Sequence, residues 1–150
     1  PLATRANVAC FGTFGYELDL NRLTAEEREE VRAQVAFMKE YREIIQFGDF
    51  YRLRSPFEGN FTAWMAVSPD RRTALVGWYR LLSEINGPCR RLMLRGLDPD
   101  LCYTVDGQRS HYGDELMRVG LLVTDSGAGE RQPDERPICD FDSHVYVLKA

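Results

Sequence analysis

NVACFGTFGYELDLNRLTAEE, residues 7–27, passes from an apolar run through a glycine-punctuated turn into a strongly signalled helix start. Residues 7–12 form a short continuous apolar run, the pattern of a strand buried on both faces in a parallel sheet. Gly12 and Gly15 then mark a turn. Thr24 is a good N-cap, and Glu27 three residues on completes a capping box. Glu26, Glu27, Glu29 and Glu30 put negative charge in the first turns, where the helix dipole favours it. Val31, Val35, Met38, Tyr41 and Ile45 recur at spacings of three and four, which gives one apolar face. Gly48 is a natural stop, so the spacing predicts a helix over 25–47.

After Gly48 the period of the pattern falls to two. Asp49 to Arg54 reads as a strand, followed by a turn over 55–60. Phe61, Ala63, Met65 and Val67 alternate with Thr62, Trp64, Ala66 and Ser68 as a second strand. Residues 68–70 (SPD) turn the chain into a third strand over 73–82. Asn86-Gly87-Pro88 breaks the chain. Strands over 91–95 and 101–105 flank the turn 96–99, and Asp106-Gly107 signals a type I′ hairpin into 108–112. Residues 113–117 (GDELM) suggest a short helical turn capped by Asp114. Residues 124–137, rich in Gly, Pro and charge, predict a mobile loop, and a last strand covers 141–149. Seven short strands with frequent turns predict an antiparallel β-sandwich. The fold class is therefore mainly β with one long N-terminal helix, α+β for the chain as given.

Composition narrows the function classes. A chain of 150 residues is one domain, or one domain plus a piece of another. A net charge of −4 argues against nucleic acid as a partner, since phosphates call for a basic patch. No apolar run is long enough for a membrane-spanning helix. The first residue is Pro1, which predicts that the natural N-terminus lies upstream. Cys10, Cys89, Cys102 and Cys139 include no C-x-x-C pair, and only His111 and His144 could join them at a metal. No metal site and no cofactor are expected. Reduced cysteines and a cytoplasmic location are expected in the absence of a disulfide framework. The triplet Asn60-Phe61-Thr62 fits a glycosylation acceptor but is read as a chance match.

Three segments in order, FGTFGYELDL (11–20), IIQFGDFYRLRSPFEGNFTAWM (44–65) and YGDELMRVGL (112–121), make the chain resemble the C-terminal part of glycoside hydrolase family 36 α-galactosidases. The resemblance extends from about Arg5 to Ala150. It implies that residues 1–47 are the terminal strand–loop–helix of a (β/α)8 catalytic barrel and that residues 48–150 are a C-terminal antiparallel β domain. It further implies a parent enzyme that hydrolyses terminal α-linked galactose, as in melibiose and raffinose, with retention. Retaining chemistry uses two carboxyl groups about 5–5.5 Å apart. In the family both are aspartates, in a W-D-type and an S-D-x-x-D-A-type segment, and neither segment occurs in this sequence. The expected partners are the remainder of the glycosidase, an α-galactoside bound only by the full enzyme, and a second copy in a homo-oligomer, since bacterial members are often tetramers.

No catalytic, substrate-binding or metal residue is assigned. Asp114 and Glu115 are adjacent carboxylates, but neighbours on a helical turn point apart. The resemblance places residues 13–23 in the eighth loop at the catalytic face of the barrel, so Phe14, Tyr16, Glu17 and Asp19 could wall or brace a sugar pocket. The blander expectation is that the two rings pack locally while the two carboxylates hold backbone. Trp64, Trp78, Tyr79 and Tyr51 could stack on sugar rings, but alternating aromatics in a sandwich usually belong to the core. Two alternatives to the enzyme-fragment reading follow: an autonomous carbohydrate-binding module, favoured by an exposed aromatic platform, and an oligomerisation module, favoured by a large apolar patch.

Overall fold

The long helix forms where its end signals place it. The structure, a computed structural model, describes residues 2–83, 90–123 and 140–150. It begins with helix α1 (Leu2–Ala9), a single 3-10 turn (Leu20–Arg22) and helix α2 (Ala25–Phe47). Thr24 Oγ1 accepts from the Glu27 amide at 3.2 Å, and Glu27 Oε2 accepts from the Thr24 amide at 2.8 Å. Both arms of the capping box are thus closed. Gly48 is the C-cap of α2 with extended backbone, and glycine is needed there because a Cβ would collide with the carbonyls of Ile44 and Val67. Of the predicted stripe, Tyr41 is buried and Val31, Val35, Met38 and Ile45 are half-buried.

The strand expected at 7–12 is not formed. Residues 7–9 continue α1, and Cys10 and Phe11 turn out of it. A strand needs a neighbour to take its amides and carbonyls, and no described strand pairs with this segment. The backbone closes on itself instead: the Cys10 amide reaches Ala6 O at 2.9 Å and the Gly12 amide reaches Ala9 O at 3.0 Å. Ala3, Ala6 and Ala9 favour the helix; Ala6 is its buried residue, and Cys10, just past its end, is buried as well.

The rest is mostly β-sheet. Strands β1 (Asp49–Arg54), β2 (Phe61–Val67), β3 (Thr73–Arg80), β4 (Arg90–Leu92), β5 (Cys102–Val105) and β6 (Arg109–Tyr112) are followed by helix α3 (Gly113–Arg118), β7 (Leu121–Val123) and β8 (Asp142–Lys149). Six form one antiparallel sheet in the order β1-β2-β3-β8-β5-β6, and β4 pairs with β7 in a second, two-stranded sheet. The described residues thus hold eight strands where seven were expected, β7 being the unforeseen one. Asp106 and Gly107 both adopt positive φ, 48° and 69°, as the type I′ turn between β5 and β6 requires. The break at 86–88 and the loop at 124–137 lie outside the described residues.

Alternation along β2 and β3 sorts their side chains between two layers. Phe61, Ala63, Met65, Val67, Ala74, Val76 and Trp78 meet Leu92, Leu121 and Val123 from the two-stranded sheet, Leu94 and Leu97 from the segment after β4, and Leu116 from α3. The opposite face carries Trp64, Gly77 and Tyr79, and α1 and α2 lie over it. Gly77 leaves room for the Phe11 and Tyr79 rings, which a Cβ would strike at 2.9 Å and 2.5 Å. Both faces are therefore covered, and β2 and β3 are buried along almost their whole length.

Asp114 is not the cap of α3. The helix begins at Gly113, with Tyr112 at the N-cap position, two residues before Asp114, and no side-chain cap bond. The turn at 98–101 supplies acceptors in its place: the Gly113 amide donates to Leu101 O at 2.9 Å and the Asp114 amide to Pro99 O at 3.3 Å. Only glycine fits at 113, because a Cβ would collide with Asp98 O. Asp114 Oδ1 accepts from the Glu115 amide at 2.7 Å.

Candidate functional site

The loop between α1 and α2 carries the residues that the resemblance placed nearest to chemistry. Phe14 and Tyr16 meet edge to face, with centroids 5.4 Å apart. The Tyr16 hydroxyl donates to Gln34 Oε1 at 2.6 Å, and Gln34 Nε2 donates to Glu30 Oε1 at 2.9 Å. This chain fastens the loop to α2. Partial burial, with the nearby Glu30 charge, raises the Tyr16 phenol above its ordinary pKa. Asp19 Oδ1 accepts from the Asn21 amide at 3.0 Å and so caps the 3-10 turn. Glu17 is exposed. The loop thus holds its two rings against α2 and one of its two carboxylates against backbone.

A cleft of about 260 Å³ lies beside that loop, lined by Ala6, Cys10, Phe14, Ala33, Phe37 and Val145 with Asn7, Gln34 and His144. Cys10 is its one nucleophile by type, but burial pushes the thiol up to about 12, which leaves it protonated and inert near neutrality. The buried Tyr79 hydroxyl nearby donates to Asn7 O at 2.7 Å and is also pushed upward by burial. Neither group is set up for proton transfer near pH 7.

The other candidates are dispersed. Asp114 and Glu115 sit on α3; Glu115 Oε1 lies 2.9 Å from His111 Nδ1. His144 Nε2 lies 2.8 Å from Asp106 Oδ2, and Asp106 Oδ1 accepts from the Val147 amide at 2.8 Å. Asp106 thereby ties the β5–β6 turn to β8, a role that nothing in the local sequence signals. Among the described residues no three His, Cys, Asp or Glu side chains gather where they could hold a metal ion.

The aromatic candidates are absorbed by packing. Trp78 and Tyr79 are buried. Trp64 lies half-buried with its ring 4.4 Å from that of Tyr79 and its other contact on Phe11. Tyr51 packs against the core and over Gly96, where φ is +73° and a Cβ would meet the ring at 2.5 Å. None of the four offers a bare flat face, which counts against a sugar-stacking platform built from them.

Comparison with known proteins gives a family. The model of the glycosyl hydrolase family 36 C-terminal domain matches residues 61–148, and the melibiase model matches residues 1–48. Alpha-galactosidase AgaA of Geobacillus stearothermophilus is 52% identical over 149 residues, which are 99% of this chain and 19% of that protein. Alpha-galactosidase 1 of Pediococcus pentosaceus is 42% identical over 150 residues, again 99% of this chain and 19% of that protein. A crystal structure of an AgaA variant in complex with raffinose superposes with a TM-score of 0.88 at 44% identity, covering 99% of this chain and 19% of that one. The mostly β architecture with its few helices is thus that of the C-terminal region of these enzymes. Similarity along nearly the whole chain, with one family model covering more than half of it, makes the chain a member of glycosyl hydrolase family 36 that carries the family's C-terminal domain.

Proposed function

We propose that the chain is the C-terminal part of an α-galactosidase that removes terminal α-linked galactose, of the melibiose and raffinose type, with retention. In this reading residues 1–47 belong to the catalytic barrel, with α2 as its last helix. Residues 48–150 form an antiparallel β-sandwich domain beside it. The observation that carries the proposal is the 52% identity to an α-galactosidase over 99% of this chain against 19% of the relative. The melibiase match at residues 1–48 supports the division near Gly48.

The role of this part is structural. The two aspartate segments of the family's retaining mechanism have no counterpart in the sequence, so both carboxylates of such a pair come from the remainder of the parent. In this reading the loop at 13–23 belongs to the barrel's catalytic face, and its bracing through Tyr16 and Gln34 fits the wall of a site better than its reacting centre. The free thiols at Cys10 and Cys102 suit a cytoplasmic setting. The test is hydrolysis of a chromogenic α-galactoside by the full-length parent and by this chain at equal molarity. Turnover by the parent alone is expected. Turnover that scales with purified 150-residue chain would refute the structural role, and a parent inactive on every α-galactoside would refute the reading as a whole.

A further inference from the structure

A pocket of about 530 Å³ lies between α2, β8 and the β5–β6 hairpin, lined by Tyr41, Thr104, Asp106, Gly107, Val147 and Lys149. Small-molecule sites run from about 300 to 1,000 Å³ and set a few polar groups in an apolar lining. The ladder fixes where the polar groups stand. Thr104 pairs directly with Lys149 across β5 and β8, and Val147, two residues before Lys149, shares its face of the strand. Asp106 is anchored at the turn, its Oδ1 accepting from the Val147 amide at 2.8 Å. Tyr41 closes the pocket from α2. A Cβ on Gly107 would meet nothing within 4 Å, so the turn does not obstruct the opening.

The charges facing this pocket are already answered. Lys149 Nζ lies 3.1 Å from Glu40 Oε1 and 5.2 Å from the centre of the Tyr41 ring. Hydrogen bonds with Tyr41 and then Glu40 raise Lys149 above its ordinary pKa. Asp106 Oδ2 faces His144 Nε2 at 2.8 Å. A charged ligand would therefore compete with partners in place. Hydrogen-bonding capacity is nonetheless left over: an ammonium has three donors and an ionised carboxylate about four acceptor positions, more than these partners use. The Thr104 hydroxyl meets Ser110 Oγ only at 3.5 Å, a marginal bond. Neighbouring hydroxyls of a sugar both donate and accept, which suits a wall carrying a donor-only ammonium and an acceptor-only carboxylate. Lys149 and Phe37, whose ring centre is 4.7 Å away, crowd the Tyr41 ring, so the hold comes from hydrogen bonds and not from stacking. We propose that this pocket binds a neutral sugar, held by Lys149, Asp106 and Thr104 over the apolar floor of Val147. The choice of galactose as that sugar rests on the proposed function.

Amine labelling tests it, because this sequence has two lysines, Lys39 and Lys149. Lys149 lines the pocket, while Lys39 is exposed on α2 and outside the lining. Acylation of each is read by mass spectrometry on its own peptide, in the full-length parent, with galactose as the probe. Galactose is expected to slow Lys149 with saturation, by about tenfold at about ten times the half-saturating concentration, and to leave Lys39 unchanged. Thr104→Val removes a hydroxyl at nearly constant shape and should raise that concentration about threefold to tenfold; Asp106→Asn should raise it about tenfold or more. Equal Lys149 rates with and without galactose would overturn the inference, and so would a half-saturating concentration unmoved by both substitutions. Equal protection by glycerol would show no sugar site, and protection by inorganic phosphate in place of galactose would show an anion site; either overturns it. Hydrolysis of the chromogenic substrate by the unmodified parent is measured alongside. A parent that protects Lys149 but lacks that activity supports the sugar site and refutes the enzyme reading, whereas an active parent without protection refutes the sugar site alone.

Discussion

The paired strands β2 and β3 and the helical segment ahead of them are held by different means. Met65, Ala66, Leu75 and Val76 have no exposed surface. Each strand finds partners on both edges within the chain, and each face has a cover. In α1 and α2 the backbone is satisfied internally, but most apolar side chains are only half-covered. Helices can complete their hydrogen bonds alone, whereas strands cannot. A helical segment can therefore complete its hydrogen bonds and still lack a core. The central strands are buried more completely than the helices that cover one of their faces.

The largest expected effect is in the sheet. Met65→Ala removes a side chain with 0% exposure and should cost about 2–5 kcal/mol in global stability by denaturant unfolding; a loss no greater than that of half-buried Val35→Ala would break the contrast. Tyr103→Phe comes next. The Tyr103 hydroxyl donates to Arg71 O at 2.5 Å and accepts from the Asp98 amide at 3.0 Å, joining two turns. Its removal leaves those groups without a partner and should cost about 1–3 kcal/mol, seen as a lower unfolding midpoint with an unchanged slope. Thr24→Ala removes one arm of the capping box and should cost about 0.5–2 kcal/mol. That cost should fall on α2, as lost helical circular dichroism before the main transition, while β2 and β3 stay protected. A single simultaneous transition of unchanged midpoint would mean that the cap does not hold α2. Arg32→Ala is the smallest. The Arg32–Glu29 pair closes to 2.7 Å with both side chains more than 70% exposed, so its loss should cost well under about 1 kcal/mol and leave the melting curve in place.

The parts of the fold legible in the sequence are those with local causes. α2 runs over 25–47 because Thr24, Glu27 and Gly48 act within a few residues of themselves. The Asp106-Gly107 turn follows from its own backbone, and β1 and β2 from alternation. What was hidden depends on distant partners. The apolar run at 7–12 reads as a buried strand, but no described strand pairs with it, and residues 7–9 continue α1. Asp114 looked like a cap, but the carbonyls of Pro99 and Leu101 made a side-chain cap unnecessary. The place of β8 between β3 and β5 has no signature in the sequence. In the candidate site the same division holds. The packing of Phe14 on Tyr16 and the bracing role of Asp19 are short-range. Gln34 as the partner of Tyr16, and His144 at the cleft, come from chain segments far apart.

Native-state hydrogen exchange on the isolated chain tests the contrast most directly. Amides of Phe61–Val67 and Thr73–Arg80 should exchange only through global unfolding, whereas those of Leu2–Ala9 should exchange through local opening with far weaker protection. Equal protection of α1 and β2, or stronger protection of α1, would contradict the claim that the buried strands are the more firmly held region and the half-covered helices the less.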